Sequence, residues 1–319
     1  MSGYREADLA RARTTPVASR PSLVDRTSLA KVAGADRSFH AFLCGLPRTL
    51  AAGQLLAVAR AIADAHRAGR GVVILAGGHV VKVGLGPLLS DWVARGIVTH
   101  LALNGAAAIH DFELAAHGGT SEDVEAGLAD GSFGMAEETA TGMNRAIVRA
   151  HSAGQGLGEG LAAALAAMAS AVRAGDSVML TCHRHGVPLT VHPTIGAETI
   201  HQHPSADGAA IGGTALRDFR RLAGSLPQLH DGGVVLNLGS AVVMPEVFLK
   251  ALSVARNLDD GRPTGFLAAD FDMIRQYRPR VNVVERPTRS GGTGIMLTGH
   301  HEIMIPLLAW AVDDALAVG

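Results

Sequence analysis

Residues 71–113, "GVVILAGGHVVKVGLGPLLSDWVARGIVTHLALNGAAAIHDFE", carry the pattern that decides the fold. Two short apolar runs, 71–78 and 97–105, are each closed by glycine, and between them lies a segment, 86–96, with helical spacing of its apolar residues. Strands joined through a helix need a crossover connection, which makes them parallel neighbours. Comparable runs follow at 176–183, 188–192, 233–240 and 264–271. Helical periodicity fills the intervals at 50–69, 160–175, 214–225 and 245–257. In the first of these Leu55, Val58, Ala59 and Ile62 share one face and Gly69 supplies the stop; Pro245 occupies the first turn of the last. Strand alternating with helix predicts an α/β fold, a mostly parallel sheet with helices on both faces. No repeat or linker interrupts the later chain, so the expected organisation is an N-terminal arm over 1–40 and one α/β domain over 41–319.

A chain of 319 residues with 48% hydrophobic content can bury a sizeable core. Its formal net charge of −1 argues against a nucleic-acid surface built on bulk positive charge. No apolar run reaches the roughly twenty residues of a membrane span; the Ala-rich "LAAALAAMASAV", 161–172, reads as a buried helix. The first residues are rich in arginine, proline and acids and lack the apolar core of a secretion signal. Cys44 and Cys182 are too few for a disulfide framework or a thiolate zinc site and read as small buried residues. These features predict a soluble, cytoplasmic protein that engages neither nucleic acid nor membrane.

In parallel sheets, ligands collect beyond the carboxyl ends of the strands. Gly77, Gly78, Asn104, Gly105, Gly239 and Ser240 stand there, in turns that let backbone approach a dinucleotide. Lys82, His110, Asp111, Glu113, Asp270 and Asp272 fall in the same loops. Taken in order and spacing, "ILAGG", "GLGPLLSDWVARGIVTHLALNGAAAIHDFE", "LNLGSAVVMPE" and "MIPLLAWAV" resemble the deoxyhypusine synthase family over roughly residues 70–315. The resemblance implies a Rossmann-like fold and a homotetramer with NAD sites between subunits. It also implies NAD-dependent passage of an aminobutyl group from spermidine, through an imine on an active-site lysine, to a lysine of a translation factor. At His300 it implies a contact to the cofactor. Two positions depart from the family. Its nucleophilic lysine has no counterpart in "SGGTGIMLTG", 290–299, and its histidine after the fifth strand is absent from "SAVVMPE", 240–246.

The expected activity is therefore transferase or oxidoreductase chemistry with NAD on a polyamine or other small amine, without the standard lysine imine. Asp111 and Asp270 are expected to bind the ammonium, with Glu113, Asp207 and Asp272 also in contact with substrate. His110 or His203 is expected to move the proton. Lys82, if desolvated, is a candidate replacement nucleophile, against the alternative of an exposed lysine at a helix start. His110-Asp111-x-Glu113 is expected to open a helix, where Asp111 could instead be a cap. In "GTSEDVEAG", 119–127, Thr120 or Ser121 is the expected cap and Asp123 or Glu125 the acid of the first turn.

The histidine clusters give a second reading, a metal-dependent hydrolase or lyase. His201 and His203 lie on one side of an extended segment with Asp207 following, and His192, His300, His301 and Glu302 could complete a divalent-metal site if the fold joined these loops. Otherwise these histidines donate hydrogen bonds in a substrate loop, His300-His301-Glu302 starts a helix, and His183 and His185 sit on the surface at a strand end. A third reading is a non-catalytic binding protein on the same scaffold.

Overall fold

The computed structural model describes residues 3–168 and 177–318. The chain divides into two units between Gly53 and Gln54. Among its described residues the first holds short 3₁₀ turns and the helix α1 (Phe39–Gly45), whose N-terminus is capped by Ser38 Oγ accepting from Ala41 N at 3.1 Å, and it ends within the first turn of the next helix. Cys44 lies on this helix and is exposed, against the expectation of burial, whereas Cys182 in the second unit is buried.

Among the described residues the second unit is built on six strands: β1 (Val72–Ala76), β2 (His100–Asn104), β3 (Leu189–His192), β4 (Val234–Leu238), β5 (Leu267–Asp272) and β6 (Thr293–Thr298). Every pairing is parallel, in the order β3-β2-β1-β4-β5-β6. This is a Rossmann-like sheet flanked by helices. All of β1 and β4 is buried, which is why both read as unbroken apolar runs. The chain leaves β3 at one edge and returns beside β1, so the order of strands reverses between β1 and β4. That is the place where such sheets open a crevice.

Helices fill the connections. α2 (Leu50–Arg67) precedes β1; α3 (Gly78–Lys82) and α4 (Gly86–Ala94) lead to β2. Between β2 and β3 lie α5 (Gly105–His117), α6 (Val124–Asp130), α7 (Glu137–Ser152), α8 (Leu157–Ala167) and α9 (Val178–His185). α10 (Gly208–Ser225), α11 (Val243–Leu258) and α12 (Arg286–Thr288) follow β3, β4 and β5, and α13 (His301–Val318) closes the chain. One sheet face places Val73, Leu75 and Val235 against Leu222 of α10 and Phe248 of α11. Each such side chain, fully withdrawn from water, contributes about 1.5–3 kcal/mol.

Two elements differ from the sequence reading. The run 176–183 is not a strand: from Val178 onward it is α9, and Asp176, like residues 169–175 of the expected helix, lies outside the described residues. A short apolar run without flanking constraints fits either state, and here capping decides. Ser177 Oγ accepts from Leu180 N at 3.1 Å, and the buried carboxylate of Asp111 accepts from Ser177 Oγ at 2.7 Å, Val178 N at 2.9 Å and Met179 N at 3.0 Å. Substituting Ser177→Ala is expected to lower stability by about 0.5–2 kcal/mol, the usual loss for an N-cap, as read by urea denaturation. The second difference is β6. Not among the apolar runs of the sequence, it is an edge strand with half of its residues exposed, and Gly294 is needed because a methyl there would lie 2.7 Å from Val284 O.

Candidate active site

α5 begins directly at the end of β2, with Asn104 Oδ1 capping it through Ala107 N at 2.9 Å. His110 and Glu113 are therefore not at its start but one turn and more inside it, three residues apart and on one face. Gly118 stops the helix in a left-handed conformation (φ 77°), and Ser121 turns again at φ 73°. The chain so reversed brings Thr120 back over that face. Its hydroxyl lies 2.7 Å from His110 Nδ1 and 2.5 Å from Glu113 Oε2, while Glu113 Oε1 accepts from Thr139 Oγ1 of α7 at 3.1 Å. Thr120 thus serves this cluster rather than capping α6, whose cap is Asp123, accepting from Ala126 N at 3.1 Å.

His110 and Glu113 line a cleft of about 240 Å³ together with Lys82, Glu122 and Glu198. Burial pulls the His110 pKa below its ordinary value; Glu113 opposes that shift and Lys82 adds to it. Burial pushes Glu198 up, even though both its oxygens accept from Thr194 N at 2.9 and 3.0 Å. Glu122 is exposed at the mouth, with one oxygen on Gly134 N at 3.0 Å. Lys82 is the last residue of α3 and exposed, so the desolvation expected to turn it into a nucleophile is absent. Three glutamates, a lysine and a histidine held neutral by burial make a site suited to a small cation and able to accept its proton.

Other expected site residues lie elsewhere. Asp111 has 0% exposure and spends both oxygens on the start of α9, so it neither caps its own helix nor faces the cleft. Asp207 caps α10 through Ala209 N and Ala210 N. His203 bonds Ser205 Oγ at 2.8 Å and Glu137 Oε2 at 3.2 Å, on the side of α7. His201 is packed near Glu198, 3.3 Å from its Oε2. His192 is buried in β3 on Thr190 Oγ1, His183 and His185 are exposed in the last turn of α9 rather than at a strand end, and His300 and Glu302 are exposed at the start of α13. Among the described residues no three histidine, cysteine or acidic side chains converge as a metal site would require, so the metal-dependent reading has no set of ligands there.

At the switch point the glycines are explained by packing. A methyl on Gly77 would run into the Gly239 backbone, one on Gly78 would lie 2.9 Å from Ala106 Cβ, one on Gly105 would meet Glu198, and one on Gly239 would lie 2.8 Å from His301 Cε1. Nearby groups are nonetheless unmet. Asn237 Nδ2 donates to Asp270 Oδ1 at 2.7 Å, but Asn237 Oδ1 is buried without a partner among the described residues, as is His301 Nδ1. Burial pushes Asp270 up to about 7, with Asn237 opposing and the nearby Asp272 adding. α11 starts at Val243 with no side-chain cap on the exposed Val242, although Ser240 Oγ accepts from Met244 N at 3.2 Å. Both unmet atoms belong to side chains sealed in the core, so the group placed to meet a dinucleotide across the strand ends is the uncapped start of α11 beyond β4.

No protein-family model and no curated protein sequence matches the chain. Solved structures match its fold. The ternary complex of AgrE with ornithine and NAD⁺ superposes with a TM-score of 0.54 at 16% identity, over 84% of this chain and 34% of that one. A protein assigned to the LOR/SDH group from Methanococcus maripaludis S2 gives 0.51 at 17% identity over 83% and 70%. A protein assigned as a deoxyhypusine synthase from Entamoeba histolytica gives 0.51 at 11% identity over 88% and 96%. The chain thus spans about a third of the length of AgrE. At these identities the shared property is the fold.

Proposed function

We propose that this chain is an NAD-dependent enzyme acting on a small amine, with the amine bound in the cleft over α5. One observation carries the reading: a half-buried, neutral histidine opens onto a cleft that three glutamates and one lysine line. Glu113 and Glu122 attract and orient the ammonium group, and Glu198 forms the buried wall. His110 accepts the ammonium proton, which frees the nitrogen lone pair needed for oxidation at the neighbouring carbon. A nicotinamide cofactor, when bound, supplies the hydride acceptor, and the start of α11 would hold it. Lys82 helps keep His110 neutral and serves as no nucleophile, which fits the missing lysine near the C-terminus. That relatives of the fold include an ornithine and NAD⁺ complex supports the class of ligand and no more.

Calorimetric titration with NAD⁺, ornithine and spermidine tests the reading. An amine is expected to bind, and the double substitution Glu113→Gln with Glu122→Gln to weaken it about tenfold, ~1.4 kcal/mol. Absence of binding by NAD⁺ and by both amines would remove the reading.

A further inference from the structure

We infer that Glu113 and Thr120 act together as a tautomer lock on His110, presenting Nε2 rather than Nδ1 to the cleft as the proton acceptor. The inference rests on the reading of His110 as the base; it assigns a positioning role to Thr120 and, beside its attraction of the ammonium, a second and positioning role to Glu113.

The argument is one of donor counting. A threonine hydroxyl has a single proton, and an ionised carboxylate only accepts. The contact of Thr120 Oγ1 with Glu113 Oε2 at 2.5 Å therefore uses the only proton Thr120 has. Its oxygen can then only accept from His110, 2.7 Å away, so Nδ1 must carry a hydrogen. In the neutral ring the lone pair is left on Nε2. That atom takes no partner among the described residues and is not among the sealed, unpartnered buried atoms, and the residue lines the cleft.

Two further contacts hold the arrangement. Thr139, buried in α7, donates to the other oxygen of Glu113 at 3.1 Å and fixes the carboxylate. Gly78 lets α3 approach so closely that a methyl there would lie 3.3 Å from His110 Cδ2, which walls the carbon edge of the ring. Flipping the ring would put that carbon on Thr120 and lose the hydrogen bond. The lock matters because the free imidazole of histidine favours hydrogen on Nε2, the form that offers no base to the cleft.

The test is spectroscopic and needs no turnover. Long-range ¹H–¹⁵N correlation on the ¹⁵N-labelled full chain, above the titration of His110, reads which ring nitrogen is protonated; the signals are assigned by their loss in His110→Asn. Wild type and Thr120→Ser are expected to show hydrogen on Nδ1. Thr120→Val, with no acceptor, is expected to shift the majority to hydrogen on Nε2. Glu113→Gln is expected to do the same by a second route, since its amide can donate to Thr120 and turn the threonine proton toward Nδ1. Hydrogen on Nε2 in wild type, or an unchanged tautomer in both Thr120→Val and Glu113→Gln, would overturn the lock. Should the tautomer be as inferred while NAD⁺ and amines fail to bind, the proposed function falls and the lock stands.

Discussion

Replacing His110 with alanine is expected to lower amine turnover by about 10²–10⁴, the usual contribution of a positioned general base. Stability should change little, because the half-buried ring leaves Thr120 and Glu113 still bonded to each other. The measurement is NADH formation with the amine that binds best, across a range of pH. Burial disfavours the imidazolium, so His110 titrates below its ordinary 6.5. In wild type kcat/KM should therefore be level around neutrality and fall as pH drops through that lower value, where Nε2 is already protonated. The alanine variant should lose both the rate and this acidic limb. A variant that keeps wild-type turnover removes His110 from the chemistry, whatever the ring tautomer proves to be.

That Lys82, His110 and Glu113 share one cleft was legible from the chain, because they follow the carboxyl ends of β1 and β2, which are adjacent in the sheet. Thr120 was legible only as a helix cap. Its role depends on a chain reversal at Gly118 and Ser121 that no periodicity announces. Glu198 gave no signal either, since its position in the cleft is set by Gly105, at the start of α5, being small enough to admit it. Asp111 misled for the opposite reason. Its neighbours in sequence suggested a site, but its partners, Ser177 to Met179, are far along the chain, and only the fold shows the carboxylate serving as a cap. The strands of the sheet interior were read correctly where burial on both faces makes continuous apolar runs. The edge strand β6, with threonine, glycine and exposed positions, lacks that signature.

A second carboxylate does for β3 and α8 what Asp111 does for α9, and its removal is expected to be costly. Asp218 of α10 has 0% exposure, and its Oδ2 accepts from Gly158 N and Val191 N, both at 2.8 Å. Asp218→Ala leaves two buried N–H groups without an acceptor, at about 1–3 kcal/mol each, so unfolding in urea should show a loss of about 2–6 kcal/mol. The asparagine variant separates shape from charge. Burial raises Asp218 from 3.8 to about 7, against the pull of its two N–H partners and Arg221, and Oδ1 has no hydrogen-bond partner among the described residues and so is open to the proton. The sign follows: the folded state holds a proton that the unfolded chain has released, so the stabilisation is complete below pH 3.8 and is lost as pH rises to about 7. Asp218→Asn does not titrate, so its stability relative to wild type should improve steadily across that interval. Burial also lowers His100 to about 3 and His192 to about 4, which gives pH dependence of the opposite sign, but both are common to the two proteins and cancel in the difference. A difference independent of pH would mean that Asp218 is charged in the folded protein, with Arg221 Nη1, 3.8 Å from Oδ1, as the partner that compensates it.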